Sequence, residues 1–253
     1  MVVYGIQCAL RRISSTRRVL AALCLLYWAC VLQGQDSYLL RPEKALVDQQ
    51  DQSVHVTLTN TSAVEVVAYT VRTSPTGART VHSYPPAIPG IAPGASYDER
   101  LPLGETSSGS AADLSRYAPL AVLFGDGTGR GDAQALQVLD EHRAGFADEM
   151  ENLLPLLDGL RNSPDSNFGE AAAACVNREA ALRTAVRQDS HSDSYKSGMS
   201  DALGRVVFDC TDADRSAKLS QVAQARSRLR SLVENGRNAV SAIRRGRLAR
   251  IVK

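Results

Sequence analysis

At 253 residues the chain has room for one large domain or two ordinary ones, and its 22% charged and 44% apolar content is that of a globular protein rather than a disordered one. The net charge of +2 is an average over a chain whose two ends differ sharply from its body.

The first 34 residues read as a targeting segment. Arg11, Arg12, Arg17 and Arg18 precede Val19–Leu32, a 14-residue uncharged apolar run. A membrane-spanning helix needs about 20 residues, so the run has the shape of a secretory core segment. Cleavage is expected after Gly34, with an uncleaved N-terminal anchor as the alternative. "TRRVLA" (Thr16 to Ala21) partly matches a twin-arginine export signal, and Cys30 follows a poor lipobox. Removal of this segment takes away Cys8, Cys24, Cys30 and Trp28, the only tryptophan. Cys175 and Cys210 remain, and an even pair in an oxidising compartment predicts one disulfide.

Residues 35–131 read as strands. "SVHVTLTN" (Ser53 to Asn60) alternates, with Val54, Val56 and Leu58 on one face, as a half-buried strand requires. Asn60-Thr61-Ser62 supplies turn chemistry. "VEVVAYTVRT" (Val64 to Thr73) follows as a second strand, so the two read as a hairpin. The proline-dense "SYPPAIPGIAPGASY" does not suit a central strand. "SYDERLPL" (Ser96 to Leu103) and the apolar "APLAVLFG" (Ala118 to Gly125) are further strands, separated by the loop "GETSSGSAAD". Short strands with such connections predict an antiparallel β-sandwich.

The turn "LFGDGTGRGD" (Leu123 to Asp132) invites functional readings. A phosphate-binding loop would end in Gly-Lys-Ser/Thr, and no lysine is present. A dinucleotide fingerprint fails because the glycines alternate at 125, 127, 129 and 131. A calcium loop could draw on Asp126, Thr128 and Asp132, but Arg130 and Gln137 stand where oxygen ligands belong. Arg130-Gly131-Asp132 matches an adhesive tripeptide too short to be specific. Asp126 and Asp132 are therefore only weak metal candidates. The structural reading explains more: Asp126-Gly127 favours a hairpin turn, and Asp132 can cap a helix beginning at Ala133.

Beyond Asp132 the period changes. Leu136, Leu139, Phe146, Met150, Leu153, Leu157 and Leu160 fall at three- and four-residue steps, with Arg143 in the one polar gap. Pro155 should kink or split this helix near Asn152. A second helix is expected from about Asp165. A third carries Tyr195 to Val206, weakened by Gly198 and Gly204, and a fourth is capped by Asp212 or Asp214. Gly236 should then interrupt, separating a helical region at 132–235 from a basic terminal helix at 236–253. Short connections favour antiparallel packing in a hairpin or bundle. The fold class is thus α+β, segregated.

The order "NTS…VVAYTVR", "GIAPGAS", "VLFGDGTGRGD…VLDEHR" resembles a group of exported bacterial proteins that have no assigned chemistry. In those, an immunoglobulin-like sandwich ends in an aspartate-glycine turn and runs into a helix containing an arginine. The resemblance covers residues ~50–145 and implies fold and export, without an activity.

No catalytic constellation emerges. None of the four histidines pairs in a zinc-binding helix pattern, and no nucleophile elbow occurs. His142, beside Asp140 and Glu141, reads as solvated helix charge. Cys175 and Cys210 lie too far apart for a redox motif. A paired-carboxylate hydrolase is the alternative, though a mature chain without tryptophan lacks the usual platform for sugar rings. The expectation is a non-enzymatic module without a cofactor.

Charge segregation is the strongest signal. Arg215–Lys253 holds 11 basic residues and one acid (+10), whereas Val19–Asp214 holds 14 basic and 26 acidic residues (−12). Val240, Ile243, Leu248 and Ile251 line up beside Arg244, Arg245, Arg247 and Arg250 as a basic amphipathic helix. Such a helix suits an anionic membrane surface, an acidic protein partner, or the acidic body of the chain itself. Specific nucleic-acid binding is not expected from basic charge alone. The sequence thus points to an exported binding or scaffolding module of the cell envelope, periplasmic or extracellular.

Overall fold

The computed structural model describes residues 39–72, 79–83, 90–102, 114–218, 221–247 and 250–251. The expected targeting segment at 1–34 and the loop at 104–113 lie outside them.

Strands precede helices. β1 (Leu40–Asp48) and β2 (Ser53–Asn60) form an antiparallel hairpin. Asp48 Oδ1 sets its turn by accepting from the backbone N–H of Gln50 and Asp51 at 2.9 and 3.1 Å. β5 (Ser96–Pro102) pairs along the other edge of β2, giving a three-stranded sheet in the order β1-β2-β5. The second sheet contains β3 (Val66–Arg72), β4 (Arg79–Ser83), β6 (Pro119–Phe124), β7 (Thr128–Gly131) and β8 (Arg250–Ile251). Its order is β4-β3-β6-β7-β8, antiparallel throughout except for the final β7–β8 pair.

The alternation in β2 is realised as expected, with Val54, Val56 and Leu58 buried. The hairpin expected between β2 and β3 is not formed, because the two strands belong to different sheets. Asn60 is the cause. Its buried amide donates to the carbonyls of Val64 (2.9 Å) and Ile91 (2.7 Å), while its Oδ1 accepts from Ser62 N and Oγ. These bonds turn the chain out of one sheet and into the other. The sheets then meet across a buried hydrogen bond from the Tyr69 hydroxyl on β3 to Glu99 on β5.

β3 is buried on both faces, which is why its sequence does not alternate cleanly. Tyr69 looks toward the first sheet, whereas Ala68 joins Ala121 and Leu123 against Ala135, Leu136 and Leu139 of the first helix. That helix, α1 (Ala133–Asn162), continues through Pro155: of the kink or split expected near Asn152, the split does not occur. Pro155 and Glu151, whose carbonyl the proline leaves unpaired, both face solvent, where water can satisfy the loss.

Arg143 fixes α1 to the sheet. The β3–β6 register passes from Val66↔Phe124 to Ala68↔Leu123, so Val67 is a bulge residue left without a partner on β6. Arg143, 2% exposed, donates from Nη1 to the Val67 carbonyl at 2.9 Å. Burial lowers its pKa to about 10, opposed by the nearby carboxylates of Asp140 and Glu65, so the guanidinium stays charged at neutral pH.

The remaining helices are α2 (Phe168–Asn177), α3 (Glu179–Gln188), α4 (Asp193–Lys218) and α5 (Val222–Arg245). Two expectations fail here. Asp212 and Asp214 do not cap a helix, because α4 runs past both; Asp214 pairs with Lys218 one turn on, and Asp212 with Arg228 of α5. Gly236 does not interrupt α5, where it lets the helix lie against Leu154 and Met150 of α1: an added Cβ would stand 3.0 Å from Leu154 Cδ2. Gly145 and Gly198 make a tighter crossing of α1 and α4. A Cβ at Gly198 would fall 1.9 Å from the His142 carbonyl, and one at Gly145 would fall 2.0 Å from that of Tyr195. The core includes Phe146, Leu157, Phe168, Leu203, Val233 and Ile243. A disulfide between Cys175 of α2 and Cys210 of α4 braces it.

Three stability measurements check this account. Arg143→Met keeps side-chain bulk but orphans the Val67 carbonyl, and should cost about 1–3 kcal/mol in urea unfolding. Gly198→Ala should be far more damaging than an ordinary helix Gly→Ala change, which gains about 1 kcal/mol; a gain on melting would refute the close crossing. Replacing both Cys175 and Cys210 by Ser should cost about 3–4 kcal/mol by the loop-closure model.

Candidate functional site

The helix α4 carries Asp201, Arg205 and Asp209 at successive four-residue steps, which places all three on one face. α1 supplies His142 and Phe146 beside them, and α5 supplies Leu232. Together they line an open groove of about 560 Å³. Its floor is Gly204, where an added Cβ would meet nothing within 4 Å, and Phe208 stands at the rim with 72% of its surface exposed.

The polar groups of the groove are unequally satisfied. His142 is buried, contrary to its reading as solvated helix charge, because the α1–α4 crossing closes over it. Its Nε2 lies 3.0 Å from Asp201 Oδ2, while its buried Nδ1 has no hydrogen-bond partner among the described residues. The Arg205 guanidinium carbon lies 5.7 Å from the centroid of the Phe146 ring, a cation–π contact. Desolvation first, and then the neighbouring Asp212 carboxylate, push the Asp209 pKa up to about 6, with Arg205 opposing.

A second concentration of charge forms where α5 meets α1. Arg244 pairs with Glu151 and, at 3.5 Å, with Asp148. Asp148 also accepts from the Tyr195 hydroxyl, whose pKa is held up at about 12 by desolvation and by that carboxylate. Arg247 grips Asp140 with Nε and Nη2 at 2.8–3.0 Å, which raises the arginine's pKa. Closer to the start of α5, Arg226, Arg228 and Arg237 pair with Asp165, Asp212 and Asp158.

The residues singled out in the sequence are thus distributed as follows. Cys175 and Cys210 are bonded to each other. Asp126 and Asp132 lie in the turn and the cap: Asp126 Oδ1 accepts from Thr128 N and Oγ1, and Asp132 Oδ1 accepts from Ala135 N at 2.8 Å. Gly131, at φ 113°, adopts a backbone conformation suited to glycine, and a Cβ there would strike the Leu120 carbonyl at 2.2 Å. Of the four arginines expected to face an external surface, Arg244 and Arg247 are committed to α1. Arg245 is exposed, and Arg250 pairs through its backbone with Thr128 in β8. Leu248 lies outside the described residues. Asp201, Arg205, Phe208 and Asp209 are not among the residues the sequence points to; the four-residue spacing of Asp201, Arg205 and Asp209 beside a phenylalanine is the available signal.

Among the described residues, no group of three or more histidine, cysteine, aspartate or glutamate side chains is placed to hold a metal ion, and no helix is long and apolar enough to cross a membrane. Set against protein-family models, curated proteins and solved structures, the chain matches none.

Two measurements follow. For Asp209 the folded pKa of about 6 exceeds the ordinary value of 3.8, so the folded state binds more protons between these values and stability falls as pH rises through the window. Asp209→Asn should therefore raise the melting temperature at pH 7.5, with the gain disappearing below about pH 4; an equal effect at both pH values would refute the desolvated carboxylate. At the other site, Arg244→Glu sets a third negative charge beside Asp148 and Glu151 and should lower the melting temperature at low salt. Arg245→Glu, on the exposed side, should change stability by no more than about 0.5 kcal/mol.

Proposed function

We propose that this chain is an exported, non-enzymatic binding module of the cell envelope, in which an immunoglobulin-like pair of sheets carries a disulfide-braced helical bundle. The observation that carries the reading is the groove along α4. It is an open concavity with a vacant glycine floor and an aromatic side chain left standing in solvent at its rim. A large exposed aromatic beside satisfied and unsatisfied polar groups is the usual composition of an interaction surface. Export is supported by the basic-then-apolar N-terminal sequence and by the disulfide, which persists in oxidising compartments. The immunoglobulin-like reading draws on two short sheets joined by a buried tyrosine–glutamate contact.

An anionic membrane surface is less well served by this arrangement, since Arg244 and Arg247 are bound to carboxylates of α1. The hydrolase alternative is weaker still. The His142–Asp201 pair could suggest acid–base chemistry, but the ring nitrogen not facing Asp201 is sealed from solvent. A general base must reach the proton it abstracts.

Site-specific photocrosslinking in the producing cell tests this role. A photoreactive residue at position 208 should give a discrete envelope adduct, whereas the same residue at exposed position 227 should not. Cytosolic recovery of the protein with Met1 intact would refute export, and equal labelling at both positions would refute the groove as the binding face.

A further inference from the structure

We propose that the α4 groove receives a peptide segment presenting a lysine or arginine side chain next to an apolar residue. The cation sits against Asp209 and the apolar neighbour packs between Phe208 and Leu232. This rests on the reading of the groove as the binding face and names its ligand chemistry.

The argument begins with what is unsatisfied. Asp209 is only partly exposed and makes no hydrogen bond or ion pair among the described residues, whereas Asp212, one turn away, is paired with Arg228. Arg205, whose charge partly offsets the burial of Asp209, lies with its guanidinium on the Phe146 ring. A desolvated carboxylate without a bonded partner is costly in a folded protein, and an incoming cation removes that cost. Asp201, on the same face of α4 and 3.0 Å from His142 Nε2, adds a second carboxylate whose side chain is 60% exposed.

The apolar half of the ligand follows from the walls. Phe208 is the most exposed of the large hydrophobic residues in the described chain, and Leu232 of α5 lines the same groove. Covering a phenylalanine removes apolar surface from water, which favours association when a charge pair forms beside it. The floor also bears on this. Gly145, Gly198 and Gly236 each have a backbone or side chain pressed against them, whereas Gly204, like Gly159 of α1, has open space where a Cβ would stand. Glycine in a helix interior weakens the helix relative to alanine, and its effect here is to leave the groove open. A peptide suits the shape better than a small amine, because compact ligands occupy sites that bury 70–90% of their surface, roughly, and this groove is open along its rim.

The experiment is selection on an array of random hexapeptides with the full chain, repeated with Gly204→Leu and Asp209→Asn. The expected result is enrichment of lysine or arginine adjacent to leucine, isoleucine or phenylalanine. Enrichment should vanish with Gly204→Leu, which fills the floor, and fall at least tenfold with Asp209→Asn. The best peptide should shift the backbone amide signals of Gly204, Phe208 and Asp209 and draw the Asp209 carboxyl titration downward from about 6. Enrichment of acidic or purely apolar motifs that still depends on Gly204 would overturn the ligand chemistry and leave the binding face standing. Selection unaffected by Gly204→Leu would overturn both. If 2-phenylethylammonium alone binds at position 209 as tightly as the best peptide, the peptide assignment is wrong. Should Gly204→Leu fail to fold, Phe208→Ser is the second variant, with the same loss expected and the same meaning attached to its absence.

Discussion

The contact on which the rest of the structure depends is a guanidinium placed against a bulge. Val67 has no partner on β6, and Arg143 supplies the donor for its part-buried carbonyl. A buried cation is acceptable only where such an acceptor exists, and a buried carbonyl at a bulge only where such a donor exists. Each feature removes the other's cost. The bond also sets the rotation of α1 about its own axis. With Leu136, Leu139 and Arg143 turned to the sheet, His142, Gly145 and Phe146 fall on the adjoining face, toward α4. The glycine crossing, the sealed histidine and the groove all follow from that rotation.

The charge asymmetry finds its explanation at the next level of packing. Arg226, Arg228, Arg237 and Arg244 of α5, with Arg247 after it, meet carboxylates from α1, α4 and the short turn at Asp165–Asn167. Exposed pairs of this kind contribute about 0–1 kcal/mol each. Their sum is modest beside the apolar seam of Leu229, Val233, Val240 and Ile243, so they act chiefly on orientation. A helix with basic residues along one flank can dock in one sense on an acidic body, and the wrong sense brings like charges together. The same docking brings Gly246 against the carbonyl of Gly125, within 3.2 Å of where its Cβ would lie, and lets Arg250–Ile251 close the edge of β7. The glycine-rich turn that invited ligand readings is therefore the seat of the chain's final segment.

Periodicity made much of this legible. The strand at Ser53–Asn60, the helix from Ala133, the cap at Asp132 and the bonded cysteines follow from local pattern or from counting. What local pattern could not reveal was partnership across the fold. Asn60 looks like a hairpin turn residue until Ile91, thirty-one positions away, supplies a carbonyl for its amide. Gly236 and Gly198 look like breaks, because their neighbours Leu154 and the His142 carbonyl come from another helix. Asp212 looks like a cap because its true partner, Arg228, lies sixteen residues on. His142 looks solvated because nothing in its own helix buries it. Each misreading assigns a tertiary contact to the nearest local cause.

That distinction gives the groove its meaning. Gly145, Gly198 and Gly236 stand where helices press together, and a side chain at any of them would have to displace backbone or core. Gly204 shares their helix-weakening cost without their packing role, since a Cβ there reaches open space. It is flanked by Asp201 and Arg205 and followed by Phe208 and Asp209, on the one helix that the disulfide ties to α2. A braced helix does not need a flexible residue at that point for its own folding. The glycine, the unpaired carboxylate and the exposed ring each oppose stability in the isolated chain, and they lie within two turns of one another. Features that cost stability together, at one place on a rigid element, are what support the proposal that the groove is a binding face.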